Sequence, residues 1–275
     1  MKILRKIVFL IVCSCPLTTI AQTTVGLDSD FGGRFSIGIE KEIVKNLHVS
    51  LDEELRFDNT FGTVNRLQTN FDIDYKIFSF LKLGAGYVLI NPYNSTDKAF
   101  SNTKHRWVFS ATGTVKYEKW RIAWKEQIQI THRTGSFNEY QNPQNALTLK
   151  SRISAKYDYS ARLQPYAFVE LRNLLNAPVI VASYDGTNYL TPSGSKTGDA
   201  GWFLDGFNGA YINRLRFGLG THINFNSHNS LNIGLLLDRT TDKVVDANAE
   251  GTKLKSYTKE KGFMGQLVVK YVYTL

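Results

Sequence analysis

The sequence predicts an all-β chain, a transmembrane antiparallel up-and-down β-barrel of about twelve strands. Three observations predict it: period-two alternation held for about a dozen residues at a time, connections that alternate between tight and long, and an export-type leader. A strand sends successive side chains to opposite faces. Between Phe31 and Ile43 the odd positions Phe31, Gly33, Phe35, Ile37 and Ile39 oppose Gly32, Arg34, Ser36, Gly38, Glu40 and Glu42. Strands of soluble proteins are usually about 5–6 residues long. Crossing a bilayer at a tilt of about 45° takes about 9–11.

The leader comes first in the chain. Lys2, Arg5 and Lys6 make a positive start, Ile7 to Val12 an apolar core, Pro16 a break, and Thr19-Ile20-Ala21 a small-residue cleavage site. This core is much shorter than the roughly 20 apolar residues of a spanning helix. Cleavage is therefore expected after residue 21, leaving 22–275 as one barrel domain of an exported chain. Both cysteines, Cys13 and Cys15, fall in the leader, so the mature chain would hold no disulfide, thiol nucleophile or thiolate metal site. Lipoprotein processing at Cys15 is the rival reading of this segment. The net charge is +9, or +6 without Lys2, Arg5 and Lys6. In an exported chain that balance does not point to nucleic acid.

The alternation then recurs in order. In Leu47–Asp58, Leu47, Val49, Leu51, Leu55 and Phe57 oppose His48, Ser50, Asp52, Glu54, Arg56 and Asp58. In Arg66–Ile77, Leu67, Phe71, Ile73, Tyr75 and Ile77 oppose Arg66, Gln68, Asn70, Asp72, Asp74 and Lys76. Leu81–Ile90 is weaker. Arg106–Tyr117 and Trp120–Arg133 turn Trp107, Phe109, Val115, Trp120, Ile122, Trp124, Ile128 and Ile130 outward. Leu147–Tyr159 sets Leu149, Ile153, Tyr157 and Tyr159 against Lys150, Arg152 and Lys156. Leu163–Arg172, Tyr211–Phe225, Leu231–Asp238 and Phe263–Leu275 complete eleven segments. Bacterial barrels normally have an even number of strands. Thr23–Asp28 is therefore expected as a first strand, which would also bring the N-terminus to the same side as the C-terminus. Glu53 and Glu126 interrupt the apolar face, and a β-bulge that turns them inward is expected.

Tight connections fall near Val44–Asn46, Phe78–Ser79, Glu118–Lys119, Ser160–Arg162 and Asn226–Asn229. Long or polar ones fall at Asn59–Asn65, Asn91–His105, Thr134–Asn145, Asn173–Asn208 and Arg239–Lys261. In outer-membrane barrels the tight side is periplasmic. Tyr75, Tyr117, Trp120, Tyr157, Tyr159, Phe225 and Tyr273 sit beside the tight turns or the chain end, as an interfacial aromatic girdle would. A soluble lipocalin-like barrel would point its apolar face inward, and explains the strand length, loop alternation and leader less well.

Several short motifs carry a family likeness. They are Ser36-Ile37-Gly38-Ile39-Glu40-Lys41, Glu53-Glu54-Leu55-Arg56, Leu83-Gly84-Ala85-Gly86-Tyr87, Lys104-His105-Arg106 and the closing Val268–Tyr273 strand. On these the chain resembles domain of unknown function 2490, a family of Gram-negative outer-membrane barrels. The resemblance implies a fold and an outer-membrane location, with lipid as the surrounding partner, and no activity. Barrel proteins commonly end on an aromatic residue; here Leu275 is last and Tyr273 stands two before it.

An envelope-lipid enzyme built on Ser and His is the least favoured reading, and no catalytic residue, cofactor or metal is expected. The histidines His48, His105, His132, His222 and His228 show no metal-ligand spacing, and Asn226-Ser227-His228-Asn229-Ser230 reads as a polar turn. The lumen is more informative. An acidic sector is expected from Glu40, Glu42, Asp52, Glu54, Asp72 and Asp74. A basic sector is expected from Arg106, Arg121, Lys125, Lys150, Arg152, Lys156, Arg172, Arg214 and Arg216. In a wide lumen the two sectors would set a transverse field, and a narrow pore for small polar or anionic solutes is the leading expectation. In a tighter lumen the charges would pair and plug it. A plugged barrel would act through its long loops, with Val179-Ile180-Val181 and Trp202-Phe203-Leu204 capping the mouth or contacting a ligand. The sequence leaves the oligomeric state open.

Overall fold

Every regular element among the described residues is a strand, as the alternation requires. The computed structural model describes residues 28–135, 137–139, 141–182, 202–247 and 254–275. The expected leader, Cys15 and all of Thr23–Asp28 except Asp28 lie outside them. The strands are β1 (Asp28–Val44), β2 (Leu47–Asp58), β3 (Thr63–Phe78), β4 (Leu81–Asn94), β5 (Ala99–Phe100), β6 (Lys104–Tyr117), β7 (Trp120–Arg133), β8 (Asn145–Tyr157), β9 (Leu163–Ala182), β10 (Trp202–Asn224), β11 (Asn229–Ala247) and β12 (Leu254–Thr274).

Eleven of these twelve strands close a barrel. Sequential neighbours pair antiparallel, β4 pairs with β6, and the two-residue β5 only extends the end of β4. An odd wall makes the first and last strands run in the same direction, so they must pair parallel. β1 and β12 do so from Asp28↔Gly262 to Glu40↔Thr274. The wall thus closes without a strand before β1. Asp28 opens β1 at the end of the barrel where the long loops lie, and Leu275 ends the chain at the tight-turn end.

Strands on the loop side continue past the point where the alternation fades. Val179–Ala182 pairs with Trp202–Gly206, so the two apolar triplets expected in a capping loop form a hairpin extension instead. Arg239–Ala247 likewise pairs with Leu254–Phe263. β-branched residues favour the extended chain, and each paired backbone group is satisfied whatever its side chain. The β2–β3 connection shrinks to Asn59–Gly62. There Asn59, Thr60 and Phe61 stand consecutively in the left-handed region (φ 52°, 52° and 65°), a conformation costly for L-residues. Local contacts hold them: Thr60 N donates to Phe31 O (2.6 Å), Asn59 N to Asp30 Oδ2 (2.9 Å), and the Phe61 ring packs edge-on to Phe31.

The two faces of the wall differ: large apolar side chains crowd the outer face and charged and polar ones the inner. Outward residues such as Ile37, Trp124 and Val115 are 62%, 62% and 67% exposed. At the turn end Tyr75, Tyr117, Trp120, Tyr159, Phe225 and Tyr273 form an exposed aromatic ring of residues, with Trp120 against Tyr157 at 4.8 Å. The expected bulge at Glu53 and Glu126 is absent. The register runs unbroken through Ile37↔Glu53↔Thr69 and Ala111↔Glu126↔Ser151. Both carboxylates stay on the outer face because neighbouring donors satisfy them there. Thr69 Oγ1 donates to Glu53 (3.0 Å), while Trp124 Nε1 (2.6 Å) and Ser151 Oγ (2.7 Å) donate to Glu126.

Inside, Tyr166 and Phe168 of β9 lie across facing glycines. Phe168 covers Gly218, and Tyr166 crosses Gly220 and Gly234 to donate to Asn232 on β11 (2.8 Å). A Cβ at Gly220 would stand 2.5 Å from Ile233 O and 2.7 Å from the Tyr166 hydroxyl. Gly220→Ala is expected to destabilise the barrel by about 1–3 kcal/mol through overpacking, read from the denaturant midpoint of refolded protein. An unchanged midpoint would show that Tyr166 is free to move away.

Candidate functional site

All fifteen residues expected in the two charged sectors fall on inward positions of the strand register, but the sectors are not separate. Glu170 on β9 and Asp238 on β11 stand within the basic sector, 2% and 3% exposed. Glu170 accepts from Arg152 Nε (2.9 Å) and lies 3.7 Å from Arg214 and 3.6 Å from Arg216. Asp238 receives a two-pronged contact from Arg216 (Nε and Nη2, both 2.6 Å) and lies 3.7 Å from Arg214. Arg34 donates to Gln266 (2.7 Å), and Glu54 accepts from Arg56 (2.5 Å). Glu170, Asp238, Arg216 and Gln266 are all buried, so this band is a packed layer of paired polar groups at mid-height, and Arg34, Glu54, Arg152 and Arg216 of it border the cavity on the turn side.

Basic residues enter the acidic sector in the same way. Lys270 donates to Asp52 (2.7 Å) and Lys82 to Asp74 (3.0 Å). Asp72 faces Gly86 across the β3–β4 register, where a Cβ would collide with its carboxylate. Glu40 lies apart at the turn-end opening, accepting from Thr274 Oγ1 (2.8 Å). Pairing within the sectors is partial: Arg152, Arg214 and Arg216 meet carboxylates and Asp52 and Asp74 meet lysines, whereas Arg106 and Arg172 meet only neutral side chains. Glu170 and Asp238 were the residues sequence reasoning passed over. Their parity was visible, since Glu170 precedes Arg172 by two and Asp238 ends an alternating strand. They escaped because each is a lone acid among many apolar or basic neighbours.

Two chambers flank the charged band. On the turn side a cavity of about 380 Å³ is lined by Arg152, Lys156, Tyr166, Phe168 and His222. The Arg152 guanidinium sits 4.2 Å over the Phe168 ring, a cation–π contact within the band. His228, in the β10–β11 turn, is engaged structurally through Thr274 O (2.8 Å).

On the loop side a vestibule of about 630 Å³ is lined by Arg66, Lys104, Arg106, Arg133 and Arg172, with Lys243 and Asp242 also among its walls. Among the described residues none of these five cations has a carboxylate within 4.0 Å. Neutral oxygens position three of them through Nε: Asn65 holds Arg66 (2.7 Å), Thr131 holds Arg106 (2.8 Å) and Asn213 holds Arg172 (2.6 Å). Lys125 and Lys150, also predicted for the basic sector, lie below this group on the inner walls of β7 and β8. The β7–β8 loop reaches across the mouth, where Gln141 Nε2 donates to Asp246 on β11 (2.8 Å).

Two comparisons bear on these features. No curated protein matches the chain in sequence. Residues 32–185, more than half of the chain and spanning β1 to the end of β9, match the family described as protein of unknown function (DUF2490), and the chain belongs to that family.

Proposed function

We propose that this protein is an outer-membrane barrel whose lumen is shut at mid-height and which acts through its loop-end face. Four features support the membrane reading together: the export-type leader, strands of 12 to 23 residues in the wall, the apolar outer surface and the aromatic ring at the turn end. The observation that carries the shut lumen is the buried band of Arg152, Glu170, Arg214, Arg216 and Asp238. An eleven-stranded wall lies between the filled eight-stranded barrels and the open sixteen-stranded porins, and these long charged side chains stand at its middle. The loop side then offers the only large basic surface within the described lumen, and the tight turns leave little to bind with on the other.

A narrow pore for small polar or anionic solutes is the second reading. It is favoured by the chambers of about 630 and 380 Å³ that approach the band from its two sides. Electrical recording from refolded full-length protein in a planar bilayer separates the two. The shut barrel is expected to give no steps above background. Steady unitary conductance from the unaltered chain would replace it with the pore.

A further inference from the structure

We propose that the loop-end vestibule is a binding site for a compact, soluble polyanion that carries two or more phosphate or carboxylate groups. The proposal extends to ligand chemistry and stands whether or not the lumen below is shut. It starts from an imbalance. Six cations line one cavity among the described residues, the sixth being Lys243 with its ammonium 4.8 Å over the Tyr211 ring, while the one carboxylate on its described wall, Asp242, is already engaged: it accepts from Asn213 Nδ2 (3.0 Å), whose own oxygen accepts from Arg172. Elsewhere in this lumen arginines meet carboxylates directly, as Arg152 and Arg216 do. Here the partners are an amide, a hydroxyl and another amide.

That choice of partners has a chemical consequence. Asn65, Thr131 and Asn213 each take the Nε hydrogen and fix the guanidinium plane without cancelling its charge. The terminal nitrogens of such a fork match a carboxylate or phosphate with two parallel bonds. A second, independent sign comes from Arg133, whose Nε is buried without a hydrogen-bond partner. Donors buried without a partner are uncommon in folded proteins and call for an acceptor.

Size and spacing narrow the class. The cations come from β3, β6, β7, β9 and β11, and adjacent strands lie about 4.8 Å apart, so one small ion cannot reach them all. A volume of about 630 Å³ falls within the roughly 300–1,000 Å³ usual for small-molecule sites. The rim holds Pro92, Tyr93, Pro143 and Pro178, all at the loop end, so entry is from the aqueous mouth. The outward neighbour Trp107 belongs to the apolar outer face. A soluble ligand fits this access better than the headgroup of a lipid held in the bilayer.

The test is calorimetric titration of full-length protein, refolded in detergent micelles, with tripolyphosphate in one arm and citrate in the other. Saturable one-site binding of either is expected, weakening as salt rises, and the stronger arm assigns phosphate or carboxylate chemistry. Arg106→Gln should weaken it about tenfold and Arg106→Gln with Arg172→Gln about a hundredfold. Lys116→Gln, at the opposite end of the barrel, should leave it unchanged. Circular dichroism checks that each variant keeps its sheet, and Arg66→Gln replaces any that does not. No saturable binding in either arm, or binding undiminished by the arginine substitutions, overturns the site. A conductive lumen in the bilayer experiment would overturn the shut barrel alone.

Discussion

Replacing Glu170 by Ala is expected to destabilise the barrel by about 3–5 kcal/mol and, if the lumen is shut as proposed, to open a conductance. The carboxylate is 2% exposed and has three guanidinium groups around it, from Arg152, Arg214 and Arg216. Removing one partner of a buried ion pair leaves the other charge without compensation, which is where most of that energy arises. Arg152 is the exception that points to the conductance. Its side chain is 37% exposed and borders the turn-side chamber, so without Glu170 it is expected to swing toward that chamber. The measurements are the denaturant midpoint in lipid vesicles and single-channel recording. The matching experiment replaces both members of a pair, Arg216→Met with Asp238→Leu. That double change should cost far less than Glu170→Ala, because desolvation offsets most of a buried pair's attraction. A near-neutral Glu170→Ala would show that water already fills the band, and the shut lumen would fall with it.

Leu219→Arg tests the outer face and carries the second large effect. Leu219 lies on β10 between Ala167 and Leu235, 55% exposed. Five residues separate it from the turn at Phe225, which places it near the middle of an apolar band about 25 Å tall. Arginine facing lipid at that depth costs about 2–4 kcal/mol, and near the interface about 0–1. Equilibrium unfolding from phospholipid vesicles should therefore show a large loss for Leu219→Arg and a small one for Tyr159→Arg, beside the tight turns. On a water-exposed surface both would stay within about 0.5 kcal/mol. Equal small effects would mean that this face does not meet lipid.

The extent of agreement between sequence and structure follows from which interactions are local. Strand identity and facing were legible throughout, because one residue's parity decides whether Ile37 or Gly38, Trp124 or Lys125, points outward. The ends of strands were less legible. Hydropathy fades at Arg172 and Asp238, yet hydrogen bonding carries β9 and β11 on to Ala182 and Ala247. Glu53 and Glu126 look like faults in the pattern when read along their own strands. Their donors Thr69 and Ser151 come from the next strand and remove the need for a bulge. The candidate site was half legible. The basic residues were assigned to the lumen correctly, but which were paired and which were left bare depends on acids from distant strands.

Strand count shows the same division. Eleven alternating segments stand in the sequence, and the usual even parity of barrels argued for a twelfth in the wall. The structure closes at eleven because β1 and β12 pair in parallel, a contact between chain ends that no local pattern encodes. By itself, then, the sequence determined the all-β architecture, the inward and outward faces and the side on which the long loops lie. These follow from period-two geometry and turn length, which act over a few residues. Only the tertiary structure decided the closure, the band of paired charges at mid-height and the vestibule above it, whose cations meet few carboxylates among the described residues. Those depend on which strands curvature brings face to face, and so on charges that meet across the lumen rather than along the chain.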